Sequence, residues 1–257
     1  KTGRVMDRKR ATLTGLAAIL LWSTMVGLIR SVSEGLGPVG GAAMIYTVSG
    51  LLCLVTVGFP DLRRFSMRYL IAGSILFVSY EMCLALSLGY AATRSQAIEV
   101  GMVNYLWPSL TIAFAILFNG QKTTLWVIPG LLISLLGVCW VLGGENGLQL
   151  NDIMQNVVSS PLSYGLAFAG AFIWAAYCTV TSKYAKGQNG ITLFVLLTAL
   201  SLWVKYAVSD QPEMVFSVPV VVKLLMCGVA LGFGYAAWNI GILHGNVTVL
   251  AAVSYFT

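Results

Sequence analysis

Apolar positions dominate long runs, and charged positions fall mostly in the short breaks between them. Nine runs can be marked, at about residues 11–29, 38–59, 69–89, 97–118, 124–143, 162–182, 191–208, 219–241 and 246–257. Several reach or approach the roughly 20 residues that carry a helix across a bilayer. None alternates with the period of two that marks a barrel strand, so the predicted elements are helices. Breaks such as Glu34-Gly-Leu-Gly-Pro38 and Pro60-Asp-Leu-Arg-Arg64 supply backbone freedom or remove a donor, which ends helices.

One connection stands apart. Gly144 to Pro161 carries Glu145, Asn146, Asp152 and Asn156 but no Lys or Arg, and it divides the chain into five runs before and four after. The predicted division is a tail at 1–10, a first five-helix repeat at 11–143, an outward-facing linker at 144–161 and a second, incomplete repeat at 162–257. An odd number of spans in the first half makes a second copy enter the membrane upside down, the arrangement of an inverted repeat.

Charge sets the orientation. With the N-terminus inside, the inner segments hold Lys1, Arg4, Arg8, Lys9, Arg10, Arg63, Arg64, Arg68, Lys122, Lys183 and Lys186. Only Arg30, Arg94, Lys205 and Lys223 of the 15 basic residues fall outside. That is the positive-inside pattern, and it predicts a cytoplasmic N-terminus with no cleaved signal peptide. Composition agrees: 58% hydrophobic and 9% charged residues cannot cover a soluble globule. Scattered basic residues argue against a nucleic-acid surface. The five cysteines lie within apolar runs without metal-ligand spacing and read as small buried hydrophobes. His244 reads as a solvated loop residue.

Short internal matches support the repeat. A shift of 150 residues lays Val103-Asn104-Tyr105-Leu106 over Val253-Ser254-Tyr255-Phe256, and one of 152 lays Leu21-Trp22-Ser23 over Ile173-Trp174-Ala175. The predicted fold is an all-α polytopic membrane protein of two inverted five-helix repeats around a central cavity, with ten helices expected and nine visible. The repeat further predicts a tenth span after Thr257 and a proline at position 258.

Glu99-Val-Gly-Met-Val-Asn-Tyr-Leu-Trp-Pro108 breaks the apolar rule of its surroundings. Polar groups at that depth are costly unless they face protein or a water-filled cavity. The segment is therefore a candidate wall of a substrate path, with Pro108 as a kink or gating point. Glu81 and Glu99, carboxylates inside runs, are candidate proton carriers or partners for a substrate ammonium, or else interhelical hydrogen-bond partners. Rings within the runs, Trp22, Tyr80, Tyr105, Trp107, Trp174, Tyr177, Tyr235, Trp238 and Tyr255, can stack on an aromatic substrate or simply pack. Asn104, Asn239 and Ser254 can bond an amino acid's polar end or link helices. Gly37xxxGly41, Gly228xxxGly232 and Gly241xxxGly245 have the spacing of close helix contacts.

On Trp22-Ser23, Glu99 to Pro108, Tyr235-Ala-Ala-Trp238-Asn239 and Val253 to Phe256, the chain resembles the drug/metabolite transporter superfamily. It is most similar to that superfamily's ten-helix, EamA-like members, the bacterial aromatic amino acid exporters. The resemblance implies a basket of helices around a central cavity, with peripheral fifth and tenth helices, in the bacterial inner membrane, exporting Phe, Tyr, Trp and related amphipathic metabolites by alternating access. A broader amino acid or drug exporter is the alternative. No Walker motif points to ATP-driven transport, and no HExxH helix, paired Asp or Ser with His points to an intramembrane enzyme. A channel or scaffold subunit is the remaining class. No cofactor or metal is called for; the partners expected are a small-molecule substrate and membrane lipids, and a monomer is compatible.

Overall fold

The computed structural model describes residues 7–120, 127–142 and 150–256. Lys1, Arg4, Lys122, Glu145, Asn146 and Thr257, which entered the orientation, linker and terminal expectations, lie outside the described residues. Twelve helices follow in order: α1 Arg8–Trp22, α2 Met25–Leu36, α3 Pro38–Thr56, α4 Met67–Gly89, α5 Arg94–Asn104, α6 Trp107–Asn119, α7 Val127–Leu142, α8 Leu150–Ser159, α9 Pro161–Tyr184, α10 Ile191–Val208, α11 Val218–His244 and α12 Val247–Val253. A 3-10 turn over Ser254–Phe256 continues α12. Among the described residues, six helical segments are long and apolar enough to cross a membrane, and a bent α1–α2 pair makes a seventh.

Two interruptions matter. The first run, predicted as one span, continues to Leu36 and bends by 44° between α1 and α2. At the bend Ser23 Oγ donates to Leu20 O (2.7 Å) and Thr24 Oγ1 to Leu21 O (3.2 Å), taking carbonyls that a regular helix gives to backbone donors. The fourth run passes as one span from Arg94 to Asn119 but tightens at Tyr105–Leu106. There Tyr105 N reaches both Gly101 O and Met102 O, and Leu106 N reaches Val103 O. Pro108, in the first turn of α6, has no N–H to offer the carbonyl four residues earlier, that of Asn104.

Within the 144–161 linker, residues 150–159 form helix α8. In the sequence, Leu150, Ile153, Met154, Val157 and Val158 recur at helical spacing.

Helix contacts come in exchanged pairs, as inversion of one half onto the other demands. α4 against α9 is matched by α11 against α1, α3 against α11 by α10 against α4, and α3 against α10 maps onto itself. Glycines permit the closest of these. A Cβ on Gly228 has no room beside Val48 of α3, and one on Gly241 would stand 3.0 Å from Gly15 Cα of α1. Ser49 of α3 donates to Gly228 O (2.9 Å) and Cys53 to Gly232 O (3.5 Å), satisfying buried hydroxyl and thiol groups between helices. Gly37, at φ +74°, turns the chain from α2 into α3.

The fifth run, α7, touches chiefly α5 and α8 and exposes Leu132, Ile133, Leu136 and Trp140. It is peripheral, as the resemblance implies. Exposed Leu20, Val55, Ile75, Leu117, Leu200 and Val222 continue the apolar outer surface that a helical bundle presents to lipid.

Candidate functional site

Helices α1, α2, α4, α5, α6, α9, α11 and the turn after α12 enclose a cavity of about 70 Å³ at mid-depth. Eight predicted residues line it. Trp22, Tyr80, Trp107, Trp174 and Tyr235 bring rings, and Asn104, Tyr105 and Ser254 bring polar groups. Asn104 and Ser254, matched by the internal repeat, therefore meet in one chamber from the two halves. Ile19, Met25, Val26, Ile29, Leu84, Leu88 and Gly101 complete the wall. The apolar side chains among these were missed because an apolar residue in an apolar run carries no signal of which face it occupies.

Trp174 is the centre of the rings. Its centroid lies 4.5 Å from Tyr80, 5.1 Å from Tyr177, 5.6 Å from Tyr235, 6.1 Å from Trp22, 6.2 Å from Phe77, 6.3 Å from Trp107 and 6.4 Å from Trp238. Pairs of this kind contribute about 0.5–1.5 kcal/mol each beyond area burial. Phe77, also within 5.1 Å of Tyr235 and fully buried, is a member that sequence reasoning passed over. The position of Trp22 depends on Gly234, where any Cβ would collide with the indole.

Two polar atoms in this wall are enclosed without a hydrogen-bond partner among the described residues: the donor Trp174 Nε1 and the acceptor Asn104 Oδ1. Asn104 uses its Nδ2 on the Tyr80 hydroxyl (3.3 Å). Leaving such groups unpaired costs about 1–3 kcal/mol each.

Other predicted residues sit elsewhere. Tyr177 and Trp238 are fully buried behind the lining rings. Tyr177 donates to Asn239 Oδ1 (3.0 Å), and Asn239 Nδ2 to Asn189 Oδ1 (3.1 Å), so Asn239 ties α9 and α11 to the loop before α10. Tyr255 faces α6 and α7: its hydroxyl is 2.5 Å from Ser109 Oγ and 2.8 Å from Ser134 Oγ. Pro108 is buried but does not line the cavity.

The carboxylates separate as well. Glu81 is fully buried on α4, directly behind the ring wall. It accepts the Tyr46 hydroxyl, and the Tyr235 hydroxyl stands beside the same group; thus Tyr235 touches both the cavity and the carboxylate. Glu99 is half-buried and accepts from Tyr164 OH of α9 (2.6 Å), a helix-to-helix bond away from the cavity.

Near the C-terminal ends of α2 and α4, three of the wall helices, α2, α4 and α5, are fastened together. Arg94 at the start of α5 grips Glu34 of α2 through Nε (3.2 Å) and Nη2 (2.9 Å). Arg30 approaches Glu34 (3.6 Å) and donates to Gly89 O of α4 (3.2 Å).

Membrane-length helices exchanged in pairs around a mid-depth cavity, with interrupted helices bordering it, define a polytopic membrane transporter. The chain belongs to the EamA-like transporter family, which matches residues 9–143. It is 73% identical over 252 residues to the aromatic amino acid exporter YddG of Salmonella typhimurium, covering 98% of this chain and 86% of that one. Identity to the exporter of the same name from Escherichia coli K12 is 71% over the same length and coverage; to that of Ancylobacter novellus it is 28% over 261 residues. One solved structure, 22% identical, superposes with a TM-score of 0.74 over 97% of this chain and 85% of its own, which shows the shared fold.

Proposed function

We propose that this chain exports aromatic amino acids, Phe, Tyr and Trp, and related small amphipathic metabolites across a bacterial inner membrane by alternating access, with its N-terminus in the cytoplasm. The observation that carries the reading is the ring layer around Trp174 with an enclosed donor and acceptor in the same wall. A substrate ring gains stacking there, while a carboxylate and an ammonium supply the partners that Trp174 Nε1 and Asn104 Oδ1 lack. The names of the relatives support the substrate class.

In this scheme Trp22, Tyr80, Asn104, Tyr105, Trp107, Trp174, Tyr235 and Ser254 contact substrate. Tyr177, Trp238 and Asn239 hold the lining rings in place, and Tyr255 and Pro108 set the α12 and α6 junctions. Glu81 acts through Tyr235, fixing where that hydroxyl's proton points, and Glu99 joins α5 to α9. The test is flux of labelled Phe, Tyr, Trp, Thr and a cationic drug in liposomes, with and without a pH gradient. Uptake of the three aromatic amino acids above empty liposomes is expected; uptake of the drug and Thr at equal rates would replace the reading with a broad-specificity exporter, and no aromatic flux would end it.

A further inference from the structure

A second cavity, of about 460 Å³, opens where α1 and α12 begin and α6, α9 and α11 end. The aromatic cavity measures about 70 Å³. Since an apolar cavity of about 150 Å³ accommodates benzene, the ring-lined chamber is too small, as it stands, for an aromatic amino acid. The second falls within the roughly 300–1,000 Å³ of small-molecule sites.

The two chambers share helix faces. Along α6, Trp107 lines the first, and Thr111, Ala115 and Asn119, at steps of four, line the second; along α9, Trp174 lines the first, and Cys178 and Ser182 the second. Trp238 fills the layer between them, 5.3 Å from Trp107 and beside Cys178.

Their chemistry differs. The second chamber is bordered by Arg8, Thr111, Asn119, Thr179, Ser182 and Asn246. Arg8 makes no ion pair among the described residues. Asn119 donates to Thr179 O (3.3 Å), and its Oδ1 is enclosed without a partner among the described residues. Among the described residues, the unpaired Arg8 side chain and the orphaned Asn119 Oδ1 complement the two charges of a zwitterion.

We propose that this chamber is a receiving site for zwitterionic α-amino acids, which dock there before crossing the Trp107–Trp174–Trp238 layer into the aromatic cavity. Arg8 takes the carboxylate and Asn119 Oδ1 the ammonium, and the side chain is left for the rings above. The proposal rests on reading the chain as an amino acid transporter.

Ser182 is exposed, so Ser182→Cys places a thiol at the chamber without disturbing the core. Maleimide labelling of that variant is measured with phenylalanine, phenylalaninamide or sodium chloride present, and the wild-type protein gives the background from its own buried and half-buried cysteines. Phenylalanine is expected to slow labelling about tenfold, as charge-assisted bonds of this kind allow. Phenylalaninamide, lacking the carboxylate, is expected not to. Adding Arg8→Gln should abolish the protection and Arg8→Lys restore part of it; Arg8→Gln and Asn119→Leu should each raise the half-saturating phenylalanine concentration for flux. Unprotected labelling in a protein that transports phenylalanine overturns the receiving site, as does equal protection by the amide. Protection without any flux would instead keep the site and overturn the transport reading.

Discussion

Trp22 and Trp174 occupy matching places in the two halves and line the same cavity, yet their helices behave differently. After Trp22 the chain reads Ser23-Thr24, and the span bends by 44°; after Trp174 it reads Ala175-Ala176, and α9 runs unbroken from Pro161 to Tyr184. Two hydroxyls that compete for backbone carbonyls separate a jointed helix from a straight one. Carboxylates differ too: Glu81 and Glu99 belong to the first half, and α9, α10, α11 and α12 contain no Asp or Glu. Inverted halves thus differ, one supplying a bent span and the acidic groups and the other an unbroken helix that carries the centre of the ring cluster.

The division can be broken in order of severity. Trp174→Ala removes the hub and should cost about 3–5 kcal/mol, as large buried truncations do. Aromatic flux is expected to vanish and the melting temperature in detergent to fall, whereas Trp22→Ala, at a half-buried site with three ring partners, should lose less of both. Equal losses would deny the asymmetry. Ser23→Ala with Thr24→Ala gives the first half the sequence of the second. Helix propensity improves by a few tenths of a kcal/mol per residue, so stability should hold or rise while flux falls about tenfold; wild-type flux would show that the bend does not matter.

Next, Glu81→Gln keeps the shape of a fully buried group but alters its bonds to Tyr46 and Tyr235. Its flux and gradient response should change more than those of Glu99→Gln, which only weakens the Tyr164 bond, and the reverse order would move the functional carboxylate to α5. Smallest of all, Tyr255→Phe breaks its bonds to Ser109 and Ser134 on a partly exposed surface. About 1 kcal/mol of stability and little flux should be lost, as melting and uptake curves would show.

Much of this was legible beforehand because lipid makes apolar length and charge bias informative. Residues that interrupt an apolar run, such as Asn104, Tyr105, Trp107 and Ser254, declare themselves by the cost of placing them there. What stayed hidden depended on direction around a helix. Tyr177 and Trp238 resemble Tyr235 in sequence but face another layer, and Tyr46 and Phe77 look like ordinary members of apolar runs until α3, α4 and α11 are brought together. The bend at Ser23-Thr24 was obscured because Trp22 matched Trp174 so well. Helix α8 was hidden because its apolar pattern is short and interspersed with Asp152 and Asn156 in the sequence.

The Arg94–Glu34–Arg30 fastening has a consequence in solution conditions. Its side chains are 76%, 35% and 18% exposed, so mobile ions reach it, and at physiological ionic strength screening acts over about 8 Å. An exposed and screened pair of this kind holds the helices only weakly. Raising sodium chloride should therefore speed exchange of substrate at this face and leave the buried ring cluster, which salt does not reach, unchanged.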